Sequence, residues 1–139
     1  MNIPLWAMGA SALVLLWAVG LIVSVLKKDA GDETMQSISN SIREGAMAYL
    51  SRQNKTLAVF TILVFLLLGL GLPKNGMEMA LAFVTGAIFS ALAGYIGMSV
   101  SVRANVRTAE AAKKGLQQAL SVAFKSGSVT GLAVVGLAL

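Results

Sequence analysis

Six carboxylates are the groups of this 139-residue chain best suited to acid–base or metal chemistry: Asp29, Asp32, Glu33, Glu44, Glu78 and Glu110. A divalent cation bound together with a polyanion needs several oxygen ligands converging on one point, and these six are too scattered along the chain to supply them. There is no cysteine and no histidine. Thiol chemistry, disulfides, histidine-held metals and histidine general bases are therefore excluded. No P-loop occurs, and no GxGxxG follows a strand. One stretch, Lys125-Ser126-Gly127-Ser128, has residue types that could hold a phosphate oxygen near a helix start. Against this, serine and glycine are common in membrane helices, and loop topology already accounts for the lysine. No residue is assigned as catalytic, cofactor-binding or metal-ligating.

The elements that would position these groups are apolar. Hydrophobic residues make up 57% of the chain and charged residues 12%, against about 25% charged in a soluble domain, and the mean hydropathy is +0.79. The class is an all-α, polytopic transmembrane helical protein. Approximate spans are 3–26, 56–72, 79–102 and 120–139. The first has no basic leader and is followed by Lys27 and Lys28, the pattern of a true span and not of a cleaved signal. The fourth is cut short: from Val129 to Leu139 it covers roughly 16 Å at ~1.5 Å per residue, about half of a ~30 Å hydrocarbon core. Gly71-Leu72-Pro73-Lys74-Asn75-Gly76 is a tight turn, so the second and third spans form a hairpin.

Two connections carry the charge, residues 27–55 and 103–119. In the first, Met35, Ile38, Ile42, Ala46, Tyr49 and Leu50 recur at helical spacing and give one apolar face, with Asp32 or Thr34 as the cap. No breaker separates Tyr49 from Thr56, so one long helix should rise from water into the membrane. In the second, Arg103 to Lys114 should prolong the third helix, with Glu110 paired to Lys114 at i,i+4, and Gly115 should permit the reversal. Ten of the eleven basic residues lie in or beside these two connections, and the hairpin turn has only Lys74, balanced by Glu78. The positive-inside rule then places both connections in the cytoplasm and the N-terminus and the hairpin outside, in a cell membrane. It also explains the net charge of +5 without nucleic acid.

No Asp, Glu, Lys or Arg lies in the middle of an apolar segment. Ion translocation needs such groups within the bilayer, so these spans alone should not carry an ion. Small residues are arranged instead for packing. Gly86, Ser90 and Gly94 form one row of the third span, Ala93, Gly97 and Ser101 the next, and Gly127, Gly131 and Gly136 mark the fourth. Rows of this kind let helices approach closely in lipid. Their partners are other helices of the chain or, alternatively, a second copy.

Two stretches resemble a known family. "SIREGAMAYLSRQNKTLAVF", at Ser41 to Phe60, is similar to the entry to the second helix of the membrane-bound, ion-pumping inorganic pyrophosphatases. "GYIGMSVSVRANVRTAEAAKKGLQQALSVAFKSGSVTGLAVVGLAL", at Gly94 to Leu139, resembles the stretch joining their third and fourth helices. Asn54, where the family usually has an aromatic residue, and Lys125, where arginine is common, depart from the pattern. The resemblance implies that residues 1–139 are a single N-terminal transmembrane segment of a larger domain of about sixteen helices, contributing to its outer ring. It further implies a parent that couples hydrolysis of inorganic diphosphate, with Mg²⁺, to H⁺ or Na⁺ translocation, and that works as a homodimer in the lipid bilayer. The family's substrate motifs lie on later helices, so the segment alone should be inactive and should not bind the Mg²⁺. The other reading is a small stand-alone membrane protein packing as a structural subunit against partner helices.

Overall fold

The computed structural model describes residues 3–72 and 74–139. The extreme N-terminus and Pro73 of the expected turn lie outside the described residues. Among the described residues four α-helices make up the fold: α1 (Ile3–Leu26), α2 (Glu33–Gly71), α3 (Gly76–Ala112) and α4 (Leu116–Ala138). Each is long and apolar enough to cross a membrane.

At ~1.5 Å per residue, the 39 residues of α2 and the 37 of α3 extend for nearly twice a ~30 Å hydrocarbon core. Each therefore has an apolar half, matching the expected spans 56–72 and 79–102, and a polar half. The polar halves absorb most of what the sequence marks as connections. Of these two connections, 27–32 and 113–115 remain as loops among the described residues, because nothing in the Ser-, Gln- and Arg-rich stretches breaks a helix.

Asp32 sets the start of α2. Its carboxylate accepts from the Met35 N–H at 2.9 Å, so Asp32 and not Thr34 is the cap. Immediately before it, Gly31 takes φ +76°, a left-handed conformation that costs a side-chain-bearing residue energy. Gly115 takes φ +132° and reverses the chain into α4, as expected. At the hairpin, Asn75 enters the left-handed region with φ 57° and leads into α3.

The helices are arranged in the order α1, α4, α3, α2; among the described residues α1 and α2, consecutive in the chain, do not pack on each other. The last helix is thus wedged between the first and the third. Its inward residues are Ala119, Val122, Ser126, Val129, Ala133 and Gly136. Their alternating spacing of three and four is the seam of a left-handed helix pair. On α3, Ala93, Gly97, Val100 and Ala104 are buried at the same spacing. Val25, Ala104 and Val122 join α1, α3 and α4 in one cluster. Elsewhere large apolar side chains point outward, among them Trp6, Leu70 and Phe124, as a lipid-facing surface requires.

Candidate functional site

At one end of the bundle the short α1–α2 loop is tied to the polar end of α3. Arg107 donates through Nε to the Lys28 carbonyl at 3.0 Å and through Nη1 to the Arg103 carbonyl at 2.6 Å. Lys113 Nζ lies 2.7 Å from Glu110 Oε2 and 3.4 Å from Asp32 Oδ2. The Glu110 contact is ionic, at an angle that leaves Oε2 buried without a proper hydrogen bond. Gly31 fits beneath it: a Cβ there would lie 2.8 Å from Glu110 Oε2 and 2.7 Å from Met35 Sδ. Asp29 accepts from the Gly31 N–H at 3.0 Å, and Gln36 Nε2 donates to the Gly31 carbonyl at 2.8 Å.

These contacts shift two charged groups. The Met35 N–H foremost, with help from the Lys113 ammonium, holds the Asp32 carboxyl below its ordinary value against the desolvation that opposes it. Glu110 foremost, and Asp32 after it, hold Lys113 above its ordinary value. The expected i,i+4 pair of Glu110 with Lys114 is corrected to an i,i+3 pair with Lys113. α3 ends at Ala112, so Lys114 lies beyond the regular helix that the i,i+4 rule presumes.

Two clefts open at this end. One, of about 290 Å³, mixes Lys28, Arg107 and Lys114 with Asp29 and Glu110. The other, of about 200 Å³, lies between α2 and α3 and is lined by Gln36, Ser39, Asn40, Arg43, Arg103 and Arg107. Loop topology by itself accounts for the presence of these arginines but not for their meeting. Their convergence depends on the pairing of α2 with α3, and the i,i+4 spacing of Arg103 and Arg107 is the one local sign of it.

Other expected sites resolve differently. Lys125-Ser126-Gly127-Ser128 is not at a helix start. It lies more than two turns inside α4, where Ser126 is buried and the Ser128 hydroxyl donates to the Phe124 carbonyl at 2.8 Å. Glu78 is exposed in the first turn of α3, where an acid suits the helix dipole. Of the apolar face expected on α2, Met35, Ala46 and Leu50 turn inward, whereas Ile38, Ile42 and Tyr49 are exposed, because α2 packs on α3 alone.

The small residues divide as well. A Cβ on Gly97 would meet the Thr130 methyl at 2.7 Å, and one on Gly136 would meet Leu15 at 2.8 Å. Those glycines are the contact points of α3 with α4 and of α4 with α1. Ser11 Oγ adds a hydrogen bond to the Gly136 carbonyl. α4 is therefore packed against α3 at Thr130 and against α1 at Gly136. At Gly86, Gly94, Gly127 and Gly131 a Cβ would meet nothing within 4 Å. Ser90 and Gly94 instead line an open apolar groove of about 710 Å³ with Leu50, Leu57 and Phe83.

Asp32 and Glu110, which approach the same point, have the Lys113 ammonium between them, and among the described residues no three acidic, histidine or cysteine side chains converge. A Mg²⁺–diphosphate pair does not fit this donor set.

A family model described as inorganic H+ pyrophosphatase matches residues 12–139. The chain is 52% identical over 130 residues to a K(+)-insensitive pyrophosphate-energized proton pump of Methanosarcina mazei, which covers 94% of this chain and 19% of the relative. It is also 52% identical over 127 residues to K(+)-insensitive pyrophosphate-energized proton pump 2 of Moorella thermoacetica, covering 91% and 18%. A putative K(+)-stimulated pyrophosphate-energized sodium pump of Clostridium tetani is 42% identical over 123 residues, covering 88% and 18%. The chain spans about a fifth of the length of the curated relatives it matches.

Proposed function

The chain belongs to the inorganic H+ pyrophosphatase family, and from that premise we propose that it is the N-terminal packing segment of a pyrophosphate-energised H⁺ or Na⁺ pump. On this reading it orients and braces the helices that carry the chemistry, and the diphosphate, the Mg²⁺ and the translocated ion are handled by the rest of the parent chain. The basic end faces the cytoplasm, in keeping with the positive-inside rule, and the parent is a homodimer in the membrane. The supporting observation is the division of the small residues. Gly97 and Gly136 are used within this segment, while Gly86, Gly94, Gly127 and Gly131 open outward on the same two helices. Residues of that size let backbones approach closely in lipid, and on this reading further helices of the parent take those faces.

The test compares the 139-residue chain with a longer chain that carries it, both purified and placed in vesicles. Mg²⁺-dependent diphosphate hydrolysis and ion uptake are expected from the longer chain only. Hydrolysis by the 139-residue chain itself, after removal of contaminating soluble pyrophosphatase, would overturn the reading in favour of a self-sufficient enzyme. Activity of the longer chain that is indifferent to bulky substitution at Gly94 and Gly131 would remove the packing role given to those faces, and a segment that is stable without any longer chain would favour a stand-alone structural subunit.

A further inference from the structure

We infer that the cleft between the polar ends of α2 and α3 binds a phosphate-bearing anion, gripped by Arg43 from one helix and by Arg103 and Arg107 from the other. The lining carries three guanidinium groups, the Gln36 and Asn40 amides and the Ser39 hydroxyl, with no carboxylate among them. The acids nearby are engaged elsewhere: Asp32 and Glu110 with Lys113, and Asp29 with the Gly31 N–H. Among the described residues, every side-chain ion pair within 4 Å involves Lys113. The three arginines thus share one cleft whose lining holds no carboxylate, and among the described residues none of them has an acidic partner within 4 Å. Like charges held together by two packed helices repel, and an anion seated between them turns that repulsion into attraction.

Guanidinium chemistry fixes the class of ligand. The planar fork matches the oxygens of a phosphate group two at a time. Arg107 is already oriented for this: the Lys28 and Arg103 carbonyls take its Nε and one Nη1 proton, leaving the other N–H groups of the fork to donate. The amides and the hydroxyl supply neutral donors beside the charges. Loop topology explains why basic residues lie at this end of the bundle. It does not require three of them to line a single cleft of about 200 Å³ from two different helices. The phosphate can come from the headgroup of an anionic phospholipid at the membrane surface or from a soluble phosphate or diphosphate. Binding here involves no hydrolysis, so it stands or falls separately from the pump reading.

The experiment has two arms. The chain in nanodiscs of phosphatidylcholine is titrated with inorganic phosphate and with diphosphate while the arginine Nε–H resonances are followed. In nanodiscs doped with phosphatidylglycerol, retained lipid is counted by native mass spectrometry. Saturable binding is expected in at least one arm, and that arm identifies the source. Arg43→Gln and Arg103→Gln should each weaken it roughly tenfold, the scale of a lost charge-assisted hydrogen bond. Arg43 is exposed, so its replacement leaves the helix packing intact if Arg103→Gln proves unstable. Arg52→Gln removes the same charge from outside the cleft and should change nothing. No saturable binding in either arm, or equal weakening by Arg52→Gln, would overturn the site and leave only a diffuse basic surface.

Discussion

Lys113, at the end of α3, lies 3.4 Å from Asp32, the cap of α2 eighty-one positions earlier. One ammonium thereby joins the start of one membrane-entering helix to the end of another, and its second contact, with Glu110 at 2.7 Å, holds it in place.

That bridge should have two pH limits. A carboxyl held low in the fold contributes stability above its unfolded pKa, ~3.9, and loses it as pH falls through the folded value. An ammonium held high contributes below its unfolded pKa, ~10.4, and loses that as pH rises through the folded value. Asp32 is lowered and Lys113 raised, so the bridge should be intact from about pH 5 to about pH 10 and loosen on either side. Both side chains are more than half exposed, so salt should weaken it too. Amide protection over 33–36, corrected for intrinsic exchange, is the readout. Asp32→Asn keeps a capping oxygen and should abolish the acid-side step; its persistence would assign that step to another group.

The four spans and the length of α2 are legible in the sequence because apolar runs and the absence of breakers are local properties. Gly115 is legible for the same reason. The Lys113 pairing is not, since it depends on where α3 stops, and helix ends are set by packing as much as by composition. Ile38, Ile42 and Tyr49 follow a helical period yet stay exposed, because periodicity identifies an apolar face without saying that a neighbour covers it. The arginine cleft is hidden for a further reason: Arg43 and Arg103 meet only through the α2–α3 hairpin, so no short window of sequence contains both.

The orientation can be tested directly because the chain has no cysteine. Single cysteines at Asp29 and Lys74 would report the two faces. Lys74 tolerates a substitute better than Asn75 beside it, whose left-handed φ of 57° disfavours one. A membrane-impermeant thiol reagent on intact cells should modify the Lys74→Cys protein and spare Asp29→Cys. The reverse pattern would invert the topology.

Gly97 should be intolerant of a side chain. An added Cβ would lie 2.7 Å from the Thr130 methyl, 2.9 Å from its hydroxyl oxygen and 3.2 Å from its Cβ, so turning the threonine side chain does not clear the contact. Gly97→Ala should cost about 1–3 kcal/mol, with part of the loss recovered by Thr130→Ala. Gly131→Ala, with nothing within 4 Å, should be neutral or slightly stabilising. Reversible unfolding in mixed micelles would rank the three. Equal losses at Gly97 and Gly131 would mean that helix propensity and not close approach governs both.

The wedged position of α4 leads to the last expectation. Val129 is fully enclosed, at 0% exposure, whereas Val59 on the outer face of α2 is 60% exposed. In lipid an outward valine exchanges one apolar surrounding for another, so removing its methyls costs little. An inward one gives up packing contacts that lipid tails cannot restore. Val129→Ala should therefore lower stability by about 1–2 kcal/mol, the cavity cost of two lost methyl groups, and Val59→Ala should leave it unchanged. The comparison also decides between two pictures of the last helix. Its glycines and its polar start suggest a segment waiting for neighbours, whereas Val129, Ala133 and Gly136 are packed between α1 and α3. If Val129→Ala proved as harmless as Val59→Ala in the same unfolding measurement, α4 would be loosely held and the seam would not be what fixes the order of the helices.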